Sequence, residues 1–408
     1  MRFGDMLRQA RGAKGLTQAE LGDGAYSPHY ISLLERGLRQ PTPEMVQHFA
    51  TRLGMDVQIL GWWVEPPSAT DGAALATAMF AANYARDMND TSLAASEAEY
   101  AVSIAFEQRN AAAWWDMSML QAQSLIALRR LGEAEAILLR LDSNSLLSPT
   151  PELHCIVLGR LSTIARNTGR LLDAIDLARK AFAFAAELSD HSPARLQTAF
   201  ILIAALSVKG DLDEAWEIAT NLDITEDVPA VPSLLIARGA WAIGNVAFRR
   251  GEVDVGCEQH ALATRLLLPQ ADLAAWSQFH LASAVFKMQA GIVDDSVRES
   301  LSKAEQGMQV LGNPAQRLEV TIAKARLALL TADLDEAENL LDTAEGQRDL
   351  LDFESTIDLE ICRGWYFALQ ESPNEAARHL REAARLYSEA GADENAMELM
   401  DQVRTLLV

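Results

Sequence analysis

Turn-forming residues recur along this chain of 408 residues at a nearly constant spacing, and this period constrains the fold more than any other feature. They are Gly132, Gly169, Gly210, Gly251, Gly291, Ala332 and Glu371. Successive positions lie 37, 41, 41, 40, 41 and 39 residues apart. The sequence between them is rich in Ala, Leu and Glu, which favours helices. A fixed period of this length therefore predicts an all-α fold of stacked helix pairs.

Small residues hold three fixed positions relative to these turns. Five residues after a turn stand Ala174, Ala215, Gly256 and Ala337; twelve after it stand Ala181, Ala263, Ala344 and Ala383; seven before it stand Gly244, Ala284, Ala325 and Gly364. Small side chains let two helices pack closely. The pattern resembles the tetratricopeptide repeat over roughly residues 90–390, although its usual period is about 34 residues. The resemblance implies a tetratricopeptide-like α-solenoid whose concave groove binds peptides or protein segments.

Counting back from each turn predicts which side chains face that groove. The predicted ligand-binding residues are Gln197, Arg238, Trp241, Asn245, Arg249, Gln278, Arg326 and Trp365. An Asn or Gln amide can donate to and accept from a peptide backbone, and an Arg can hold a carboxylate through two hydrogen bonds. The alternative is structural: Trp at helical spacing often packs in a core, and a lone Arg on an acidic helix often forms a surface ion pair.

The first sixty residues carry a different pattern, made of short helices with strong start signals. A helix is predicted over Phe3–Ala13, and Thr17 to Glu20 reads as a capping box that opens a second helix. Ser27-Pro28 and Thr42-Pro43 each place a cap residue before a proline, which predicts two further helix starts. A fifth short helix is predicted over residues 57–63.

These spaced motifs closely resemble the phage-repressor and Cro-like (XRE) helix-turn-helix family over residues 4 to about 60. The quoted segments are Gly15-Leu-Thr-Gln-Ala-Glu-Leu21, Ser27-Pro-His-Tyr-Ile-Ser-Leu-Leu-Glu-Arg-Gly37 and Pro41-Thr-Pro43. The resemblance implies DNA contacts by Thr17, Gln18, Ser27, Pro28, His29, Tyr30, Ser32, Leu33, Arg36 and Arg39. It also implies a buried ion pair between Arg11 and Glu35. The sequence departs from the family where bases are read, because Pro28 and Leu33 offer no polar group, so that His29 and Ser32 remain as polar readers.

Charge supports a division of the chain. The net charge is −22, yet residues 1–60 hold seven Lys and Arg against six Asp and Glu, a balance of about +1. Only this part can approach phosphates without strong repulsion. The predicted domains are therefore 1–64 for DNA binding, 65–72 as a Pro-containing linker, and 73–408 as a helical-repeat sensor and dimerisation domain.

The combined architecture resembles the peptide-sensing quorum regulators of Gram-positive bacteria. It implies a homodimeric transcription regulator that binds an operator in double-stranded DNA and a signalling peptide or similar ligand in the groove. A second hypothesis makes the repeats a protein-docking platform without a small ligand. We expect no enzymatic activity and no cofactor or metal, because no phosphate loop, metal cluster or nucleophile constellation is present. Three well-separated cysteines and the lack of a signal or membrane-spanning pattern predict a cytoplasmic location.

Overall fold

The computed structural model describes residues 3–61, 63–64, 69–143, 150–222 and 231–407. Within these ranges the chain forms 22 α-helices and one short 3₁₀ helix, without a β-strand, which confirms the predicted all-α fold. None of the described helices combines the length and apolar character needed to cross a bilayer. The chain divides into two compact units, Met1–Val157 and Leu158–Val408.

The first unit opens with five short helices. They are α1 (Phe3–Ala13), α2 (Gln18–Gly22), α3 (Pro28–Glu35), α4 (Pro43–Leu53) and α5 (Val57–Gly61). The predicted capping box is present, because the Thr17 hydroxyl accepts from the Glu20 amide and the Glu20 carboxylate accepts from the Thr17 amide. Ser27 and Thr42 cap the next two helices in the predicted way. The fifth helix ends two residues earlier than predicted. Fully buried apolar side chains from four of the helices form one core cluster.

Four longer helices complete this unit. They are α6 (Ala69–Asp87), α7 (Thr91–Glu107), α8 (Ala111–Ala127) and α9 (Leu131–Asp142). The predicted linker 65–72 is only partly described: residues 65–68 lie outside the described ranges, and α6 begins within the linker at Ala69. Small buried residues of α6 and α7, including Ala82, Ala98 and Ala101, let the two helices pack closely.

The structure corrects one predicted turn. Gly132 lies inside α9, and the turn between α8 and α9 is made by Arg129, whose backbone is left-handed with a φ of 60°. Asn89, with a φ of 57°, makes the corresponding turn between α6 and α7. Asn89, Arg129 and Gly169 are then separated by 40 residues each. The prediction missed these turns because it searched for glycine, whereas other residues adopt this conformation at an energetic cost.

The second unit consists of six helix pairs and a final helix. They are α10 (Pro151–Asn167), α11 (Leu171–Ala185), α12 (Pro193–Lys209), α13 (Leu212–Thr220), α14 (Ser233–Arg249), α15 (Val253–Leu266), α16 (Leu273–Gln289), α17 (Asp295–Leu311), α18 (Pro314–Leu330), α19 (Leu334–Glu345), α20 (Phe353–Leu369), α21 (Pro373–Glu389) and α22 (Asp393–Leu406). The 3₁₀ helix Arg348–Leu350 precedes α20. The remaining predicted turn residues, including Ala332 and Glu371, all have a positive φ.

The predicted small residues hold the paired helices together. The described members of all three sets are buried, and two of them allow unusually close contacts. A Cβ on Gly244 would lie 2.3 Å from the ring of His260, and one on Gly364 would lie 2.7 Å from the side chain of Leu380. These positions therefore exclude any larger residue without a rearrangement of the neighbouring helix.

The second unit closes on itself, because its first helices pack against its last ones. Leu171 and Val208 form a buried cluster with Ala390 and Ala392. The side-chain amide of Asn395 donates to the carbonyl of Val208 over 3.3 Å. Residues almost 190 positions apart in the sequence thus come into contact. The repeats curve around a common interior, and the candidate ligand site lies there.

Candidate helix-turn-helix surface and ligand cavity

The recognition helix α3 presents the expected polar face. Ser27, Pro28 and His29 are exposed at its N-terminus, and Ser32 and Leu33 are half-buried one turn later. Beyond its C-terminus, the predicted phosphate-contacting residues Arg36 and Arg39 are exposed. These side chains stand where an N-terminal end in a major groove would place them.

Two of the predicted DNA-contacting residues also have partners inside the domain. Tyr30 is half-buried and packs on the apolar core. Gln18 donates from its side-chain amide to the Glu35 carboxylate over 2.9 Å, so that this amide is held within the domain. Thr17 is exposed and caps α2. Their contacts with DNA remain a prediction.

The ion pair between Arg11 and Glu35 is present and joins α1 to α3. Arg11 Nε donates to Glu35 Oε1 over 2.6 Å, and Nη2 donates to the other carboxylate oxygen over 3.2 Å. The Glu35 side chain is only 4% exposed. Arg11 also donates to the carbonyl of Leu16, and the hydrogen bond to Glu35 raises the pKa of the guanidinium. The pair therefore fixes the angle at which α3 is presented.

A cavity of about 480 Å³ lies within the second unit. Its walls are the first helices of successive pairs, α10, α12, α14 and α16, together with the start of α20. Six of the eight predicted groove residues line it: Gln197, Arg238, Trp241, Asn245, Arg249 and Gln278. This volume falls in the range of pockets that hold small ligands or short peptide segments.

Helix α14 supplies the central wall. Arg238, Trp241, Asn245 and Arg249 follow one another at intervals of three or four residues and all line the cavity. This spacing places them in one row along the helix. The Trp241 ring packs edge-on against Phe279, and its indole nitrogen is buried without a partner in the described part of the chain. The row combines a cation at each end with aromatic and amide groups between them.

The amide of Asn245 is oriented by a buried histidine. His260 Nε2 lies 3.1 Å from Asn245 Oδ1, and its Nδ1 lies 3.1 Å from the Ser283 hydroxyl. Burial, the largest cause, lowers the pKa of His260 to about 3, so the ring is neutral near pH 7. The amide oxygen cannot donate, so Nε2 carries the proton and Nδ1 accepts from Ser283. The Asn245 NH₂ group then remains as a donor, and the simultaneous accepting role expected from the sequence is limited.

The cavity contains three arginines with different partners. Arg238 pairs with Asp272 over 2.8 Å, and Arg166 pairs with Glu354. Arg249 donates to the carbonyl of Ser207 over 2.9 Å and lies above the Phe286 ring, 5.4 Å from its centre. No described carboxylate pairs with Arg249.

The structure places Arg326 and Trp365 away from this cavity. Arg326 is 3% exposed and donates to Asp358 over 2.8 Å. Its guanidinium lies 5.0 Å from the centre of the Trp365 ring. The two residues pack together between α18 and α20, and a ligand role for them gains no geometric support.

Some cavity residues were not identified from the sequence. Thr163 and Ala204 stand six residues before their turns, as Asn245 does, so the same count applied to Gly169 and Gly210 finds them. Phe286 and Glu354 follow no such rule. Glu354 reaches the cavity because α20 closes the unit against α10, which no local pattern reveals.

The fold and the site define a helix-turn-helix domain joined to a helical-repeat unit with an enclosed, cationic cavity. Residues 2–59 match a family model described as a helix-turn-helix domain. A search of curated protein sequences finds no significant match.

Solved structures share the helical-repeat fold. The chain is similar to a Rap protein complexed with competence and sporulation factor, with a TM-score of 0.52 and 10% identity, covering 97% of this chain and 96% of that one. It is also similar to the Rap conjugation gene regulator of the plasmid pLS20 in complex with the Phr* peptide, with a TM-score of 0.50 and 12% identity, covering 86% and 97%. PlcR of Bacillus thuringiensis, in complex with the peptide PapR7 and DNA, matches with a TM-score of 0.34, 12% identity and coverage of 80% and 98%. At such identities these likenesses concern the fold alone.

Proposed function

We propose that the protein is a cytoplasmic, homodimeric transcription regulator whose DNA binding is controlled by a peptide in the repeat cavity. The observation that carries this proposal is the presence of an exposed recognition helix and an enclosed polar cavity in one chain. The Rap structures whose fold this chain shares hold peptides, which supports a peptide as the ligand class. The protein acts by binding, without catalysis.

The DNA-binding role assigns a task to each part of the helix-turn-helix surface. His29 and Ser32 contact base edges, while Arg36 and Arg39 contact phosphates. With a domain charge of about +1, one copy binds weakly. Two copies reading half-sites one helical turn apart give the required affinity, which is why we propose a homodimer.

The ligand-binding role rests on the row along α14. The Asn245 amide donates to a peptide carbonyl, Trp241 packs on an apolar side chain, and the arginines at either end bind polar groups. A ligand that prefers one curvature of the repeats shifts the population of conformations and thereby the DNA affinity.

The DNA-binding part is tested by selecting an operator from random DNA duplexes with the full-length protein. Arg39→Ala should weaken operator and unrelated DNA alike and lower the slope of log affinity against log salt by about one. His29→Ala should weaken the selected operator far more than unrelated DNA. Arg86→Ala, an exposed arginine on α6, is the matched control and should change neither value. Failure to enrich any duplex would contradict the proposal.

A further inference from the structure

The arginines around the cavity exceed the carboxylates that neutralise them, although the whole chain carries a net charge of −22. Arg238 and Arg166 each have one carboxylate partner, whereas Arg249 has none in the described ranges. A cation held next to an apolar ring without a counterion is costly unless a ligand supplies the charge.

Arg160 adds a second unmatched cation beside the cavity. It stands nine residues before its turn, the position that Ile201, Ala242 and Ala282 hold before theirs, and those three residues line the cavity. It has neither a hydrogen bond nor an ion pair to any described residue. Burial and, secondarily, repulsion from Arg238 lower the pKa of its guanidinium, which nevertheless stays charged near neutral pH.

The two unmatched positions are separated along the cavity wall. Arg238, which Arg160 faces electrostatically, and Arg249 stand 11 residues apart on α14. A rise of about 1.5 Å per residue puts them about 16 Å apart. An extended peptide covers this distance with about five residues at roughly 3.3 Å each. The Asn245 amide donor lies between them and faces the middle of such a peptide.

From this geometry we propose that the ligand is a short acidic peptide with two carboxylates about five residues apart. One carboxylate binds at Arg160 and Arg238, and the other binds at Arg249. Each carboxylate can come from an Asp or Glu side chain or from the C-terminus. This proposal rests on the proposed function, since it specifies the ligand of the same cavity.

The probes are four pools of random hexapeptides. Their first residue is Glu or Gln, and their C-terminus is a free carboxylate or an amide. Each pool is mixed with the full-length protein, and the retained peptides are quantified by mass spectrometry after gel filtration. The pool with both carboxylates should be retained about tenfold or more over the pool with neither, because hydrogen bonds to charged groups are the stronger ones. Both mixed pools should be retained to an intermediate degree.

Variants locate the two carboxylate positions. Arg249→Met and Arg160→Met should each remove most of the advantage of one carboxylate, whereas Arg179→Met, at an exposed ion pair outside the cavity, should leave all retention ratios unchanged. Since Arg160 has no partner to lose, Arg160→Met should also raise the Tm of the ligand-free protein. This second readout does not require a ligand.

Two failures have different meanings. Equal retention of the four pools, or stronger retention of the neutral pool, overturns the acidic ligand and leaves peptide binding intact. Retention of none of the pools contradicts the proposed function as well. A lower Tm for Arg160→Met with unchanged retention ratios would show that Arg160 has a structural role, and would overturn its assignment.

Discussion

At the residue scale, the polar side chains of this protein were predicted best where one local motif fixes them. The Thr17–Glu20 capping box and the Ser27 cap are confirmed, because each depends on neighbours within three residues. The partner of Asn245 was not predicted, because His260 comes from the next helix and no sequence signal ties the two together. The unmatched Arg160 was missed for the same reason: its isolation depends on the positions of all surrounding helices.

The Arg11–Glu35 pair yields a stability prediction. Arg11→Ala should lower the free energy of unfolding of the N-terminal domain by about 3 kcal/mol, because Glu35 stays buried with only Gln18 as a side-chain partner. Urea denaturation measures this value. The double variant Arg11→Met/Glu35→Leu is the control and should lose much less, since it leaves no buried charge. An unchanged midpoint for Arg11→Ala would contradict the structural role of the pair.

His280 yields a pH prediction. Burial, its largest cause, lowers the pKa of this side chain from an ordinary value of 6.5 to about 4. Between these values the unfolded chain binds a proton that the folded protein does not, so stability rises with pH there and falls on acidification. From pH 7 to pH 5 this one group should remove about 2 kcal/mol.

The comparison with His280→Phe isolates this contribution from the carboxylates that both proteins share. The variant should lose about 2 kcal/mol less than the wild type between the two pH values, measured by urea denaturation at each. Identical losses would show that His280 is protonated in the folded protein.

At the scale of helices and turns, the period of the sequence was informative and its residue types were misleading. Counting glycines found the turns from Gly169 onward but placed Gly132 inside α9. The true turn residue, Arg129, has a backbone conformation that favours glycine without being one. The small residues at the helix crossings were predicted correctly, because close packing leaves few alternatives.

The turns provide a matched pair of substitutions. Ala332 has a φ of 58°, so Ala332→Gly should raise the free energy of unfolding by about 1 kcal/mol. Gly251 has a φ of 79°, and a Cβ there would meet nothing within 4 Å, so Gly251→Ala should lower it by a similar amount through the backbone alone. Denaturation midpoints shifted in the same direction by both changes would contradict this account.

At the scale of the whole molecule, the sequence predicted an all-α chain with a helix-turn-helix domain followed by repeats. It could not predict that the second unit closes on itself. That closure depends on small rotations accumulated over six helix pairs and on a few contacts, such as the one between Asn395 and Val208. It also determines the cavity, because Glu354 of α20 reaches Arg166 of α10 only in a closed unit.

The central claim is that occupancy of the cavity controls DNA binding. Its most direct test is the affinity of the full-length protein for its selected operator, measured by fluorescence anisotropy with and without the doubly acidic hexapeptide pool. We predict that bound peptide changes the operator affinity at least about fivefold, the lower end of typical allosteric coupling, and that Arg249→Met abolishes the change. An operator affinity that stays the same while the pool is demonstrably bound would contradict the claim.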